Sequence, residues 1–485
     1  MDNKTEKRNL WCFPVGTIGR DMLYVLVANF LLTYILFTRE LTPAQLTAIT
    51  AIMVAARIFD ALNDPVMGNI IERTRSKWGK FKPWLLAGAL STTVVIIFLF
   101  NTDLQGWPFI IAFGISYFAF SITYTMNDIA YWGMIPALGT DGDTRNKFTS
   151  RATLFAGIGN AIASTLIPLF TTGAMALGGN TKSAYGMIAV IIGIITPTIL
   201  LATLFGVKEN RDDMKTAPEP IGLKHIVTTI TRNDQLMWVS LCFLIQELGN
   251  GIIVGGLGST YIYFTYGYKG GLYSVFSTVG LSATAFLMIF YPTISRLIGR
   301  KRLMNILLVV SMAGYAMMLV SPVFGSGNAS FWILSIGFMV ASFGQYGYYL
   351  IMMISILNTV EYNEYKFGKR DEAIIASLRP FLTKMSSALV VLVTSVTYLI
   401  YNVTDYTNQI SSYENAAASG KITDEEKMDA IEKVISTVMS AQKGGLLFVM
   451  VLLSAGLMAV SYFIYKKHYI LDEDEYDRIC RELGK

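Results

Sequence analysis

Two aspartates, Asp60 and Asp64, lie four residues apart in an otherwise apolar segment, residues 45–71, whose only other charge is Arg57. This spacing places both carboxylates on one face of a helix. An aspartate at the centre of a bilayer costs about 2.5–3.5 kcal/mol, so two are rarely tolerated without a use. Asn63 adds a neutral oxygen beside them. Adjacent carboxylates with a neutral oxygen suit a small hard cation, and the same pair can hold a proton.

A purely structural role is the alternative interpretation of these residues. Arg57 and the two aspartates would then form ion pairs that hold membrane helices together. Such pairs do occur, but ionisable residues inside a membrane usually mark the path of an ion or a substrate. We therefore favour a cation or proton site over a structural network.

A second polar set combines carboxylates with aromatic rings. Asp21 lies near the middle of the first apolar stretch with Arg20 beside it, and Tyr124, Asp128 and Trp132 follow one another at intervals of four residues. Such intervals place these three side chains along one face of a helix. Carboxylates accept hydrogen bonds from sugar hydroxyls, and a flat ring packs against the apolar face of a pyranose. Ordinary packing is the alternative for the aromatic pair, but Asp128 between them favours a sugar site.

Three further basic residues lie within apolar stretches. Arg151 is near the start of the stretch 149–174, where it either anchors the helix at the membrane surface or contacts a ligand. Arg379 and Lys384 lie inside the stretch 373–401. Lys384 is too deep to reach the surface easily, so we expect it to pair with a buried aspartate or to reach the substrate.

These side chains need membrane-spanning helices to position them. Hydrophobic residues make up 53% of the chain and charged residues 15%, and a spanning helix takes roughly 20 apolar residues. Twelve stretches qualify, at 10–37, 45–71, 84–100, 107–137, 149–174, 184–206, 237–263, 271–297, 304–322, 331–358, 373–401 and 444–465. The sequence therefore predicts an all-α membrane protein with twelve transmembrane helices.

The twelve stretches divide into two halves of six. A polar linker, residues 207–236, separates an N-terminal half, 1–206, from a C-terminal half, 237–465, and residues 466–485 form a tail. A basic loop follows the second helix of each half, which is typical of the major facilitator fold, where substrate is held at the interface of the halves. Residues 405–440 carry an amphipathic pattern that predicts a helix on the outer surface.

Basic residues in the loops indicate how the chain is oriented. They concentrate after the second and eighth helices and before the eleventh, and such loops face the cytoplasm. They are Arg73, Arg75, Lys77, Lys80, Lys82, Arg300, Lys301, Arg302, Lys366, Lys369 and Arg370. Both termini are therefore predicted to be cytoplasmic. The net charge of +5 follows from this bias and does not indicate a nucleic-acid partner.

The composition argues against an enzyme. The three cysteines, Cys12, Cys242 and Cys480, are scattered, which predicts neither a disulfide framework nor a metal cluster. Because His225 and His468 are the only histidines, zinc chemistry and a Ser-His-Asp triad are not expected. A membrane enzyme or sensor would need a reactive nucleophile or an output domain, and the short tail supplies neither. A carrier is the better interpretation.

Five segments carry a resemblance to a known family. They are residues 57–68, 75–84, 19–21, 128–132 and 361–370. Over nearly its whole length the chain resembles the glycoside–pentoside–hexuronide:cation symporters, a family of the major facilitator superfamily that includes melibiose permease. The resemblance implies sodium-, lithium- or proton-driven symport of a sugar, glycoside or hexuronide across a bacterial inner membrane. It implies no resident cofactor, a small-molecule sugar and membrane lipid as partners, and a monomer.

The resemblance also implies site residues by matching position. The cation set is Asp60, Asn63, Asp64 and Thr125, with the two aspartates as sodium ligands; the sugar set is Asp21, Asp128, Trp132 and Arg151, flanked by Arg20 and Tyr124, with Lys384 between the two sites. Members coupled only to protons tend to lose part of the cation set. It is complete here, so sodium is favoured. Arg57 and Lys384 are expected to couple the sites, because cation binding would release one of them from the aspartates.

The substrate stays open at this point. Arg379 stands where galactoside-transporting members usually have a neutral residue, and in the cavity it would suit the carboxylate of a uronic acid. Arg379 and Lys384 diverge by about 140° on a regular helix, however, so Arg379 would alternatively support another helix. Distant relatives with the same pattern around Asp60 move lipids. A lysolipid carrier and a proton-only sugar symporter therefore remain as alternatives.

Overall fold

The computed structural model describes residues 3–138, 142–209, 223–369 and 371–484. Helices account for most of these residues, and no β-strand is formed within the four ranges. The helices are α1 (Asn3–Val15), α2 (Thr17–Thr38), α3 (Pro43–Arg73), α4 (Lys82–Asn101), α5 (Gly106–Gly133), α6 (Ile135–Leu138), α7 (Gly142–Thr171), α8 (Thr181–Gly206), α9 (Leu223–Arg232), α10 (Asp234–Val254), α11 (Gly256–Tyr266), α12 (Gly270–Ile298), α13 (Arg300–Val320), α14 (Asn328–Phe367), α15 (Glu372–Ile400), α16 (Val403–Ala418), α17 (Asp424–Thr437), α18 (Ser440–Phe448), α19 (Ser454–His468) and α20 (Glu473–Glu482). The all-α prediction is confirmed.

The described helices agree with the predicted number of membrane spans. Eleven are long and apolar enough to cross a membrane, and α3 makes twelve when its two bent parts count as one span. The bounds differ most at α14, which has 40 residues and ends at Phe367, whereas the predicted span ended at residue 358. Hydropathy detects only the apolar part of this helix, because at about 1.5 Å per residue it is far longer than the hydrocarbon layer is thick.

Helix α3 is bent at the paired aspartates. It begins with a capping box, in which Thr42 Oγ1 accepts a hydrogen bond from the Gln45 N–H and Gln45 Oε1 accepts one from the Thr42 N–H at 2.9 Å. Its parts Pro43–Asp60 and Asn63–Arg73 meet at 42°. Pro65 explains the bend, because proline lacks an N–H and its ring clashes with the carbonyl four residues earlier. The sequence prediction assumed regular helical spacing through this segment.

Contacts divide the chain into two compact units. The first consists of Met1–Pro220, Gly267–Ser274 and Asn402–Val438, and the second of Ile221–Tyr266, Val275–Tyr401 and Met439–Lys485. The first unit therefore contains α1 to α8 together with α16 and α17. Residues 210–222 of the predicted linker lie outside the described residues, and α9 begins directly after them, at Leu223. Arg370, which precedes α15, also lies outside the described residues.

Helices α16 and α17 belong to the first unit although they follow α15 in the chain. The Asn408 side chain accepts a hydrogen bond from the Leu41 N–H at 2.8 Å and donates one to the Leu41 carbonyl at 3.0 Å, which fixes α16 to the connection between α2 and α3. The apolar face of α17 is buried at Ile431, Val434 and Ile435. This confirms the amphipathic helix predicted within residues 405–440, whereas α16 was not predicted.

Candidate functional site

Helices α3 and α5 bring the paired aspartates together with two hydroxyl groups. Thr125 Oγ1 lies 3.4 Å from Asp60 Oδ1 and 3.3 Å from Asp64 Oδ1, and it donates to these carboxylates. Ser121 donates a hydrogen bond to Asp60 Oδ1. Asp60 is 5% exposed and Thr125 2% exposed. These four residues, called the Asp60 cluster below, offer only oxygen atoms, which are the ligands that small hard cations prefer.

Ser121 is the member of this cluster that sequence reasoning missed. It lies four residues before Thr125 on α5, so both hydroxyls share one helix face. That spacing was the available signal. Asn63, the remaining predicted member, lies at the bend of α3, and within the described part of the chain its buried amide nitrogen has no hydrogen-bond partner.

Arg57 supplies the counter-charge predicted for the aspartates. Its Nη1 atom lies 3.7 Å from Asp60 Oδ2, and the guanidinium carbon is 6.0 Å from the Tyr24 ring centroid and 5.9 Å from that of Tyr117. Its side chain is 5% exposed. The formal charges of Arg57, Asp60 and Asp64 sum to −1, which a monovalent cation would neutralise.

Arg20 is the centre of the second polar set. Its Nη2 atom lies 2.9 Å from Asp21 Oδ2, and its Nη1 atom 3.1 Å from Asp128 Oδ1. The guanidinium also packs over the rings of Tyr131 and Trp132, at 4.6 Å and 5.3 Å. Arg20, Asp21, Asp128 and Trp132 form the Arg20 cluster. Sequence analysis placed Arg20 at the flank of this set and missed Tyr131.

The Arg20 cluster combines a buried cation with accessible carboxylates. The Arg20 side chain is 4% exposed, whereas the Asp21 and Asp128 side chains are 20% and 29% exposed. A buried arginine between two carboxylates fixes their positions while the partly exposed oxygens can still accept hydrogen bonds. The cluster carries a net charge of −1. It therefore suits a ligand that donates several hydrogen bonds, as a sugar does.

Helix packing sets the position of Arg20. Gly19 precedes it, and a side chain at that residue would place its Cβ atom 2.6 Å from Thr196 Cα of α8. Thr196 Oγ1 also donates a hydrogen bond to the Gly19 carbonyl at 3.0 Å. Only glycine permits this close approach of α2 to α8.

The predicted aromatic face of α5 is half-buried. Tyr124 packs between Tyr24 and Phe120, with ring centroids 5.3 Å and 5.5 Å away. Trp132 meets Tyr131 edge-on at 5.5 Å. Tyr124 and Trp132 thus lie on either side of Asp128 along the helix, as the spacing predicted.

The remaining predicted residues lie elsewhere. Arg151 Nη1 donates to the Leu10 carbonyl at 3.2 Å, and its guanidinium lies 5.1 Å from the Trp11 ring, so its described contacts are with α1 and not with the Arg20 cluster. Lys384 and Arg379 lie on α15 in the second unit, where Lys384 is half-buried and Arg379 exposed. Their predicted roles stay predictions.

Comparison with known sequences decides the family. Residues 12–423 match the sequence model of the family described as MFS/sugar transport protein. The chain belongs to this family. Membership confirms the resemblance to the sugar symporters of the major facilitator superfamily, a family whose members are multi-pass membrane transporters and not enzymes.

Individual transporters of the family are distantly similar. The chain is 27% identical to a lactose permease of Leuconostoc lactis over 78% of this chain and 60% of that protein. It is 28% identical to a raffinose carrier protein of Pediococcus pentosaceus over the same shares, and 23% identical to an isoprimeverose transporter of Lactiplantibacillus pentosus over 78% and 77%. The matches thus span 60% of the length of the first two relatives.

Solved structures share the fold. A bacterial homologue of the human lysosomal transporter Spinster aligns with a TM-score of 0.60 and 13% identity over 98% of both chains. A D-xylose-proton symporter aligns with a TM-score of 0.56 and 11% identity over 91% of this chain and 99% of that one. These alignments confirm the major facilitator fold.

Proposed function

We propose that the chain is a secondary active transporter that couples inward movement of a monovalent cation, sodium being favoured, to uptake of a sugar or glycoside. It would work by alternating access in a bacterial inner membrane, with both termini in the cytoplasm. The observation that carries the proposal is the pair of acidic sites in the first unit, Arg57 with Asp60 and Asp64, and Arg20 with Asp21 and Asp128. In each site one buried arginine lies beside at least one carboxylate, and the formal charges of the three named residues sum to −1.

Sodium is the favoured coupling ion because of the chemistry of the Asp60 cluster. Two carboxylates and two hydroxyls supply oxygen ligands, and Asp60 and Thr125 are buried from water. A monovalent cation would neutralise the net charge that Arg57 leaves. A proton on one aspartate would do the same, so lithium and proton coupling differ from sodium coupling only in the occupant of this site.

A sugar is the favoured substrate because of the Arg20 cluster. Asp21 and Asp128 can accept hydroxyl hydrogen bonds, and Trp132 offers a flat ring beside them. Related transporters are named for lactose, raffinose and isoprimeverose. A lysolipid would leave the polar atoms of this cluster facing an acyl chain, which is costly.

Coupling would arise because both ligands favour the same arrangement. A cation at Asp60 and Asp64 would weaken the attraction of these carboxylates for Arg57. The resulting movement of Arg57 would favour sugar binding at the Arg20 cluster. By linkage, sugar must then tighten cation binding by the same factor. Only the empty and the doubly loaded carrier would change between outward and inward states.

Calorimetry on the purified protein tests this proposal. Lactose, raffinose and isoprimeverose would each be titrated with sodium, with lithium and with neither ion, at two pH values. Sodium-enhanced binding of one of these sugars is expected. Binding that ignores sodium and follows pH would replace sodium by a proton, and binding of a lysolipid without any of the sugars would overturn the proposal.

A further inference from the structure

One segment of the first unit comes from a part of the chain that otherwise forms the second unit. Gly267–Ser274 belongs to the first unit by its contacts, whereas Ile221–Tyr266 before it and Val275–Tyr401 after it belong to the second. Gly267–Ser274 is called the docked segment below. From Gly270 onward it is the beginning of α12, which continues to Ile298 in the second unit. A single helix therefore has its first turn in one unit and its remainder in the other.

Buried side chains hold the docked segment against α7 and α8. The Tyr268 side chain is 1% exposed, and its hydroxyl lies 3.0 Å from Thr181 Oγ1 at the start of α8. The Tyr268 ring also packs against Phe37, with ring centroids 5.6 Å apart. Ser274 is 4% exposed, and its hydroxyl donates to the Thr165 carbonyl of α7 at 2.6 Å. These contacts anchor the segment near both of its ends.

Two adjacent glycines at the start of α12 differ in how closely they approach α7. The Gly270 N–H donates to the Thr172 carbonyl at 3.2 Å, and a side chain at Gly270 would place its Cβ atom 1.8 Å from the Pro168 carbonyl oxygen. A Cβ atom at Gly271 would meet Leu169 Cδ1 at 3.4 Å, which is an ordinary van der Waals distance. Docking therefore requires glycine at position 270 and tolerates a larger residue at position 271.

Glu414 on α16 fixes the residue that Tyr268 contacts. Its carboxylate is fully buried and accepts hydrogen bonds from the Thr181 N–H at 2.7 Å and from the Thr181 hydroxyl at 3.0 Å. Because that hydroxyl donates its one hydrogen to Glu414, its oxygen can accept a hydrogen bond from the Tyr268 hydroxyl. If Tyr268 moved away, Glu414 would keep both bonds from Thr181. The docked segment can therefore be released without depriving a buried carboxylate of these donors.

A rigid helix that is shared between two units cannot follow both of them when they move. In carriers that work by alternating access, one half of the protein moves largely as a rigid body against the other. The first turn of α12 must then separate either from the first unit or from the rest of its own helix. Breaking the helix would expose backbone polar groups in a membrane, which is costly. Release from the first unit costs only the contacts of Tyr268, Gly270 and Ser274.

We propose that the docked segment is a gate of the carrier: it is bound to the first unit in one half of the transport cycle, as in this structure, and is released from it in the other half. The inference rests on the proposed transport by alternating access and adds the segment whose release that transport requires. With both termini in the cytoplasm, the gate lies at the outer face of the membrane. A carrier with this segment always docked, or never docked, binds its ligands but does not complete the cycle.

A reversible cross-link tests whether release is required. After Cys12→Ala, Cys242→Ala and Cys480→Ala have removed the native thiols, Thr165→Cys and Ser274→Cys would be joined by a bis-methanethiosulfonate reagent with a short spacer. Uptake of radiolabelled lactose, raffinose or isoprimeverose by cells should be lost on cross-linking and should return when a reductant removes the link. Uptake that continues unchanged in the cross-linked carrier would overturn the inference.

A cross-link between Leu41→Cys and Asn408→Cys is the matched control. The Asn408 side chain hydrogen-bonds with the Leu41 main chain at 2.8 Å and 3.0 Å, so these residues are also neighbours within the first unit. Neither residue lies on a helix that continues into the second unit. This link should therefore leave uptake unchanged.

Gly270→Ala tests the opposite state, in which the segment cannot dock. Its methyl group would collide with the Pro168 carbonyl, whereas alanine itself is favoured in a helix. N-ethylmaleimide should alkylate the buried thiol of Ser274→Cys at least about tenfold faster when Gly270→Ala is present, because overpacking of this kind destabilises docking. Sugar uptake should be lost while sugar binding persists. Gly271→Ala is the matched control and should change neither alkylation nor uptake.

Tyr268→Phe is a milder variant that serves when Gly270→Ala does not fold. It removes the hydroxyl that contacts Thr181 and keeps the ring, so it should speed alkylation of Ser274→Cys about fivefold, the effect of one ordinary hydrogen bond. Ser411→Cys provides the reference thiol, because Ser411 is a fully buried serine of α16. Its alkylation should not respond to Tyr268→Phe.

Alkylation separates the gate from the proposed sugar transport, because it needs no sugar. An unmodified protein that neither binds nor takes up lactose, raffinose or isoprimeverose would refute sugar transport itself, and faster alkylation in Gly270→Ala and Tyr268→Phe would then still support release of the segment. A Ser274→Cys thiol that reacts equally slowly with and without these two substitutions would overturn the gate alone.

Discussion

Tyr24 packs against Tyr124 in a tilted arrangement, with ring centroids 5.3 Å apart and an angle of 32° between the rings. The guanidinium carbon of Arg57 lies 6.0 Å from the same Tyr24 centroid. Arg57 pairs with Asp60, whereas Tyr124 lies one helical turn from Asp128 on α5. The Tyr24 ring therefore lies between Arg57, which pairs with Asp60, and Tyr124, which precedes Asp128 by one helical turn. A displacement of Arg57 on cation binding would alter its cation–π contact with Tyr24 and, through that ring, the packing of Tyr124.

The connection predicts a coupling defect in Tyr24→Ala. Sugar should still bind, but its enhancement by sodium should fall markedly, because coupling free energies of this kind are worth about 5–150-fold in affinity. Calorimetric titration of the sugar with and without sodium measures the ratio. Tyr24→Phe keeps the ring and should keep the ratio; an unchanged ratio in Tyr24→Ala would show that the ring carries no coupling.

Asp64→Asn should remove the response to sodium. The substitution brings the summed formal charge of Arg57, Asp60 and residue 64 from −1 to zero, so a monovalent cation no longer gains from entering. Sugar binding without sodium should persist, and sodium should no longer tighten it. Asp103→Asn is a suitable control, because Asp103 is an exposed carboxylate that pairs with Lys182 at 2.6 Å outside the cluster. Sodium enhancement that survives in Asp64→Asn would exclude this residue from the cation site.

Asp60→Asn should destabilise the fold as well as weaken cation binding. Asp60 and Arg57 are each 5% exposed, and removal of one member of a buried ion pair costs about 3–5 kcal/mol because the other charge stays buried. The Tm in detergent should fall, and Arg57→Met in the same protein should restore much of it. A Tm drop that the second substitution does not relieve would mean that Arg57 is balanced by other groups.

In the first unit, the sequence predicted which side chains share a helix face better than it predicted the partners of those side chains. The spacing of Asp60 and Asp64 indicated a shared face, and the structure joins both to Thr125. The central position of Arg20 was not predictable, because its contact with Asp128 depends on how α2 and α5 pack. Local periodicity gives the face of a helix but not the partner that the face meets.

The position of α17 also depends on distant contacts. Periodicity predicted α17, but its place in the first unit comes from bonds such as that between Asn408 and Leu41. The bend of α3 is different, because Pro65 is a local signal for it, although the sequence prediction assumed a regular helix there.

A buried ionic contact joins α16 and α17 within the first unit. Glu414 is fully buried, and its carboxylate accepts hydrogen bonds from the Thr181 N–H at 2.7 Å and the Thr181 hydroxyl at 3.0 Å. Tyr268 also hydrogen-bonds to it, and Lys427 Nζ lies 3.9 Å away while donating to the Gly179 carbonyl. Burial raises the pKa of Glu414 above its ordinary value of 4.5, and these partners oppose the rise only in part.

The raised pKa predicts how the stability of this region depends on pH. Because folded Glu414 holds its proton more tightly than the unfolded chain does, its contribution is fully present below pH 4.5 and declines as pH rises through the folded-state pKa. Glu414→Gln mimics the protonated form and should flatten this decline. Tm measured in detergent across the range from acid to neutral pH, for both proteins, checks the prediction. A decline of equal size in Glu414→Gln would assign the pH dependence to other groups.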